Sequence, residues 1–364
     1  MDGDAALLRQ RIQRDLNALR DENRAMRTRA LKRLVKLLPG GATPEDPEAL
    51  AVVMHECLVE TRLLTRLLGD EAEKCRELSA QVLLAFADDL SAELPPALAR
   101  GARAALLGQV AEVARARIGS TPFAEPAEEV RLQLVKLVQA LVCATSGEGA
   151  KDGDAMETTE DDAGDEGRRA LEASAEDLCL ACARALADNF PEVKRLCAEL
   201  VVLLSQPAVL PSAVRKHQEP LVRALLLNLG HQHSKTRTVT LKALGAAVAC
   251  GCDAAERLWT QTLEPVLAQK TLFDRSSNVR RQLYRTAASW LLLQLEPATA
   301  ASLRFGKAEP ALLAVVLAGC VDTHDQVAED AERLMEKIGE AYEEGRRSGG
   351  GGGGGDDAMD TTAA

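Results

Sequence analysis

Aromatic residues are nearly missing: two Trp, two Tyr and five Phe in 364 positions, or 2%, although 46% of the chain is apolar. A core without rings must be built from Leu, Val and Ala. That suits helices stacked on helices and argues against a β-sandwich or a nucleotide-binding sheet. Long apolar runs are missing too. The longest uncharged one lies near residues Ala311 to Val321, too short to span a bilayer. The opening MDGDAALLRQRIQRDL carries charge from the start, where a secretion signal would be apolar.

An excess of positive charge is also lacking. The net charge is −11, but residues 146–166 hold nine acids and one Lys, and residues 349–364 hold three acids. What remains is near neutral, without the basic footprint of a nucleic-acid binder. Nine Cys is an odd number, and most fall on apolar helix faces, which predicts reduced, buried thiols in a cytoplasmic protein. Neither a nucleic acid nor a membrane is therefore an expected partner.

Reactive constellations are absent as well. Phe305-Gly306-Lys307 lacks the glycine frame and the Ser/Thr of a phosphate loop. His55-Glu56 has no second His at zincin spacing, and Cys179-Leu180-Ala181-Cys182 and Cys250-Gly251-Cys252 have no second pair at zinc-finger spacing. His231 and His233 flank Gln232 in a turn, without an evident third metal ligand. The expectation is no catalytic residue, no cofactor and no metal.

What is present is a repeat. Asp274 is followed by Val279, Arg280, Leu283 and Ala287, at offsets of five, six, nine and thirteen. The spacing recurs from Asp21 (Met26, Arg27, Ala30, Leu34), Asp70 (Cys75, Arg76, Ser79, Leu83) and Glu125 (Val130, Arg131, Leu134, Val138). It recurs again from Asp188 (Val193, Lys194, Cys197, Val201), His231 (Thr236, Arg237, Thr240, Leu244) and Asp322 (Val327, Ala328, Ala331, Met335). Successive leading residues are 49, 55, 63, 43, 43 and 48 apart. Periods in the forties predict an all-α fold, an α-solenoid of about seven HEAT-type helical hairpins. The apolar offsets form one stripe on the second helix of each hairpin. The leading acid is expected to end a turn and cap that helix. The base at the sixth position is expected to reach the acid of a neighbouring repeat, as a structural ladder or, less simply, as a basic row for an acidic partner. Glu219-Pro220, Glu264-Pro265 and Glu309-Pro310 recur 45 apart and mark where a first helix starts or bends.

Organisation follows from composition. Residues 1–144 read as repeats one to three, 171–347 as repeats four to seven. Residues 145–170 read as a disordered acidic insert, in which Thr158 or Thr159 could carry phosphate. Residues 348–364, with seven consecutive glycines, read as a flexible acidic tail.

Three stretches resemble a known family. They are Asp15–Arg24 (DLNALRDENR) with Arg27, Arg29, Ala30 and Leu31; Lys74–Leu78 (KCREL); and, most specific, Leu227–Arg237 (LNLGHQHSKTR). They are similar to the HEAT-repeat axonemal dynein assembly factors, and the likeness runs on through Asp274–Trp290. The resemblance implies a non-catalytic cytoplasmic scaffold for preassembly of axonemal dynein arms, with dynein chains, chaperones and other assembly factors as partners. His231, Gln232, His233 and Lys235 become candidate partner contacts. Members of that family are considerably longer than this chain. Two other readings stay open. One is a generic transport or phosphatase scaffold. The other is a tubulin-binding, TOG-like array using Arg27, Arg76 and Arg131, although the turn Asp21–Arg24 lacks the aromatic such arrays expose.

Overall fold

The computed structural model describes residues 2–146 and 160–349. Within them every regular element is helical, and the β-type pairing is one isolated bridge between Cys252 and Leu303. The chain divides into two compact units, residues 1–250 and 251–364.

In the first unit α1 (Asp2–Ala18) pairs with α2 (Arg24–Leu37), and α3 (Pro47–Met54) and α4 (Leu63–Leu67) with α5 (Glu73–Asp88). Then α6 (Pro96–Ile118) pairs with α7 (Glu128–Ser146), and α8 (Glu160–Ala185) with α9 (Pro191–Leu204). After the short α10 (Pro211–Lys216), α11 (Gln218–Asn228) pairs with α12 (Ser234–Ala249). Second helices stack on second helices: α2 on α5, α5 on α7, α7 on α9, α9 on α12. First helices form the other layer, with α1 on α3, α6 on α8 and α8 on α11. This is a two-layer α-solenoid of five hairpins. The second unit continues the pattern with α13 (Ala255–Leu258), α14 (Glu264–Leu267), α15 (Ser277–Leu295), α16 (Glu309–Gly319) and α17 (Asp325–Gly349), α15 packing on α17.

The apolar offsets form the core of the second-helix layer. Val130, Leu134 and Val138 are buried, as are Val193, Cys197 and Val201, and Val279, Leu283 and Ala287. Each apolar side chain so buried contributes roughly 1.5–3 kcal/mol, which holds the hairpins in register. In repeat two the middle position is Ser79, fully buried, and its hydroxyl has no hydrogen-bond partner.

Two first helices are broken, the second of them beside Pro265, where a start or a bend is expected. In repeat two a π-turn, His55–Val59, precedes Arg62, whose φ of 54° lies in the left-handed region that non-glycine residues enter at a cost. In repeat six a π-turn, Trp259–Leu263, sits just before Pro265. Pro265 has no N–H, and its ring would strike the carbonyl four residues back, so the helix widens there. Pro220 and Pro310 instead lie within the first turns of α11 and α16.

The acidic insert differs from its expectation. Residues 147–159, including Thr158 and Thr159, lie outside the described residues. Residues 145 and 146 complete α7, and 160–170 open α8. Within α8, Arg168 pairs with Glu172 one turn on at 3.0 Å. Because α6 and α8 pack together and α7 packs on α9, repeats three and four continue within one unit, and the division falls after Cys250. At the far end α17 runs through Gly349, and residues 350–364 of the expected tail lie outside the described residues.

Candidate functional site

In each unit the turns joining first to second helices form a ridge of repeated geometry. In each of the seven turns the leading residue accepts a hydrogen bond from the backbone N–H two residues on. Asp21 takes it from Asn23 (2.8 Å), Asp70 from Ala72 (2.8 Å), Glu125 from Ala127 (3.1 Å) and Asp188 from Phe190 (2.8 Å). His231 takes it on Nδ1 from His233 (3.2 Å), Asp274 from Ser276 (2.8 Å) and Asp322 from His324 (2.9 Å). These are Asx-type turns. The acid therefore closes the turn ahead of the helix instead of capping its first free N–H groups; in repeat one Asn23 is the cap, accepting from Ala25.

The arginine at the sixth position completes the unit. Its Nη1 donates backwards to two carbonyls of its own turn: Arg27 to Asp21 and Glu22 at 2.8 Å each, Arg76 to Asp70 and Glu71, Arg131 to Glu125 and Pro126, Arg237 to His231 and Gln232. Its Nε and Nη2 reach forward as a fork onto the next repeat's carboxylate. Arg27 meets Asp70 at 2.7 and 2.9 Å, Arg76 meets Glu125 at 2.7 and 2.8 Å, and Arg131 meets Asp188 at 2.6 and 2.9 Å. In the second unit Arg280 meets Asp322 at 2.7 Å on both arms and also donates to its own Asp274 carbonyl. Planar, bidentate recognition of this kind needs a guanidinium.

Electrostatics follow the geometry. Burial would raise the pKa of Glu125, but hydrogen bonds from Arg76 and Arg117 more than reverse this and hold it below the usual range. The hydrogen bond from Arg280 is the main cause holding Asp322 low. Arg117, which reaches Glu125 at 2.6 Å, and Phe123, whose ring lies 4.9 Å from the Arg131 guanidinium, escape sequence reading because Arg117 lies in the last turn of α6 and Phe123 in the loop after it, both off the repeated offsets.

One rung departs at both ends. Lys194 stands where the other rungs have an arginine and His231 where they have an acid. Burial and then the charge of Lys194 lower the pKa of His231. A lysine cannot fork and a neutral imidazole cannot accept a fork, so the two replacements fit one another. In repeat seven the base is Ala328.

His231 and His233 lie with ring centroids 5.3 Å apart, and Gln232 and His233 touch at 3.3 Å. Gln232, His233 and Lys235 are exposed and His231 is half-buried. Gln232, His233 and Lys235 edge a cleft of about 900 Å³ whose other wall carries Phe190, Glu192 and Arg195 from repeat four. A second cleft, of about 580 Å³, lies in the same register between repeats one and two, lined by Arg24, Arg29, Lys32 and Lys74. Asn228, beside the His231 turn, is buried and donates to the Leu186 carbonyl at the end of α8 (2.9 Å), tying two first helices together. Among the described residues no group of three or more His, Cys, Asp or Glu is placed to hold a metal, and no helix is long and apolar enough to cross a membrane.

Comparison with known proteins gives the family. A dynein axonemal assembly factor 5 of Mus musculus is 29% identical over 297 residues, 79% of this chain and 30% of its own length. The Xenopus laevis protein of the same name is 25% identical over 289 residues, 77% of this chain and 28% of its own length. The chain thus spans about three-tenths of the relatives it matches. Among solved structures, a designed armadillo repeat protein is 15% identical with a TM-score of 0.47, covering 76% of this chain and 98% of its own. The structure of Kap121p is 11% identical with a TM-score of 0.38, covering 93% of this chain and 38% of its own. The family model described as "Dynein axonemal assembly factor 5-like, TPR repeats" matches residues 18–151 and 166–347, well over half of the sequence, so the chain belongs to the dynein axonemal assembly factor 5-like family.

Proposed function

We propose that the chain is a non-catalytic cytoplasmic scaffold for preassembly of axonemal dynein arms, holding dynein chains together with chaperones and other assembly factors. Family membership carries this reading. The geometry supports a role through surface: the polar groups of the ridge are spent on one another, and the second-helix layer offers open clefts in register between repeats. Disrupting the gene in a flagellate cell is expected to leave immotile or short flagella lacking dynein arms, with the protein in the cell body. Normal arms and motility in the null would remove the proposal.

Tubulin binding is the second reading, and one observation favours it. Phe273 and Val321, one residue ahead of the leading acids of repeats six and seven, are 76% and 82% exposed. Against it, Arg27, Arg76 and Arg131 are committed to the ladder. Co-sedimentation of the purified chain with microtubules and with unpolymerised tubulin, at physiological salt, separates the two readings.

A further inference from the structure

Helix α2 reads RAMRTRALKRLVKL, six cations and no acid in fourteen residues. Two of the six are neutralised: Arg27 by Asp70 and Arg33 by Asp15 at 2.7 Å. The other four, Arg24, Arg29, Lys32 and Lys36, are exposed on one face, and none has an acidic partner among the described residues. On other second helices several outward cations are matched. Lys74 is held by Glu77, Arg195 by Glu192 and Glu199, and Arg281, Arg285 and Arg333 all converge on Asp330. On α12, Lys235 and Lys242 are exposed, a weaker second instance.

Arg24, Arg29 and Lys32 border the cleft between repeats one and two, with Glu71 and Glu73 on its far wall, and Lys36 follows one turn beyond Lys32 on α2. From Arg24 to Lys36 the helix rises roughly 18 Å, the length of five or six extended residues. We infer that this face of α2 docks an extended acidic segment of a separate protein, running along the Arg29–Lys32–Lys36 side and away from the two glutamates. The chain's own acidic stretch is the poorer occupant. From Glu160 onward that stretch is helix α8, packed along α6, which leaves residues 147–159 with four acids and a lysine. The inference rests on the scaffold reading and names the chemistry of one of its partners.

The test is fluorescence anisotropy of a fluorescein-labelled, C-terminally amidated hexaglutamate with the full chain at 150 mM salt. Wild type is expected to bind, with affinity falling several-fold as salt is doubled. Arg29→Gln/Lys32→Gln/Lys36→Gln is expected to weaken binding at least about tenfold, with the helical circular dichroism unchanged. The singles Lys32→Gln and Lys36→Gln should each lose about twofold to threefold, and Lys235→Gln/Lys242→Gln less than twofold. No binding by wild type, or equal losses from the α2 and α12 variants, overturns the inference. So does tighter binding of a uridine decamer, which would mark a nucleic-acid face. A tenfold gain on replacing residues 147–159 with a Gly-Ser linker would show the chain's own acids already seated there, and overturns it too. Any of these failures, set beside missing dynein arms in the null, leaves the scaffold reading standing and removes only this surface.

Discussion

Cutting the rung between repeats three and four is the sharpest test of the ladder. Arg131 and Asp188 are 57 residues apart, side-chain exposures are 9% and 0%, and the pair is bidentate at 2.6 and 2.9 Å. Replacing Arg131 by Met keeps the aliphatic volume and removes four donated hydrogen bonds, two to Asp188 and two to the Glu125 and Pro126 carbonyls. Asp188 is then a buried carboxylate with only the Phe190 N–H. Breaking one side of a buried pair costs about 3–5 kcal/mol. Asp188→Leu strands the guanidinium instead and should cost a similar amount. The double variant buries no unpaired charge and should cost well below the sum, with a coupling of about 2–3 kcal/mol.

Urea titration by far-UV circular dichroism measures this, and it should also reveal where the loss falls. A solenoid's stability is close to a sum of repeat terms and nearest-neighbour interfaces. Weakening one interface should therefore split the unfolding of Arg131→Met into two transitions where the parent shows fewer. Arg223→Ala serves as the control, because its pair with Glu219 is about three-quarters exposed on both sides, and such pairs contribute no more than ~0.5 kcal/mol. If Arg131→Met costs less than 1 kcal/mol, or if the two single losses simply add, the ladder is not a coupled element and the reasoning fails.

Two further outcomes follow from buried groups. Ser79→Ala removes a hydroxyl that is fully buried without a partner, so it should raise stability by about 1 kcal/mol in the same titration; a loss would mean the hydroxyl is satisfied. Burial lifts the Cys179 thiol to about 12, and burial together with Asp322 lifts Tyr284 to about 12. Both groups are neutral in the fold, and the unfolded chain gives up these protons first, near pH 9 and pH 10. Their contribution is therefore complete below pH 9 and is lost as pH climbs toward 12, at about 1.4 kcal/mol per unit and group. From these two groups alone the urea midpoint at pH 11 should fall by the equivalent of roughly 4 kcal/mol. The buried Cys182 and Cys197 thiols, lifted in the same direction, add to the fall. It should be smaller in Cys179→Ala, and an unchanged midpoint refutes it.

The architecture was legible because one offset pattern encodes three physical requirements at once. Val279, Leu283 and Ala287 fall four apart and so share a helix face, Asp274 closes a turn, and Arg280 stands where a guanidinium spans two turns. The helix breaks at His55–Val59 and Trp259–Leu263 were not readable as breaks. Pro265 signals a start or a bend equally well, and nothing near Arg62 announces a left-handed residue. The helical opening of α8 was hidden because acid-rich, glycine-containing sequence reads as unfolded until the neighbour it packs on, α6, is known. The pairing of Lys194 with the His231 turn was not legible, since a spacing pattern cannot say which members of successive repeats face each other. Arg117 lies off the period altogether.

The ladder also decides where recognition can reside. Arg27, Arg76 and Arg131 each spend four of their five N–H groups internally, two on their own turn and two on the next acid, so little donor capacity remains for a partner. A row of such arginines cannot serve as the basic track that their spacing suggests in the bare sequence. What it does is fix the second helices relative to one another, so that residues at other offsets stand at reproducible positions along the layer. In α2 those offsets, at Arg24, Arg29, Lys32 and Lys36, carry unmatched positive charge, whereas Arg195 in α9 and Arg333 in α17 are already held by glutamates and by Asp330. Two repeats with the same frame can thus present opposite invitations to a partner. Substitutions on the outward offsets should alter binding and leave stability within about 0.5 kcal/mol, while substitutions in the frame should do the reverse.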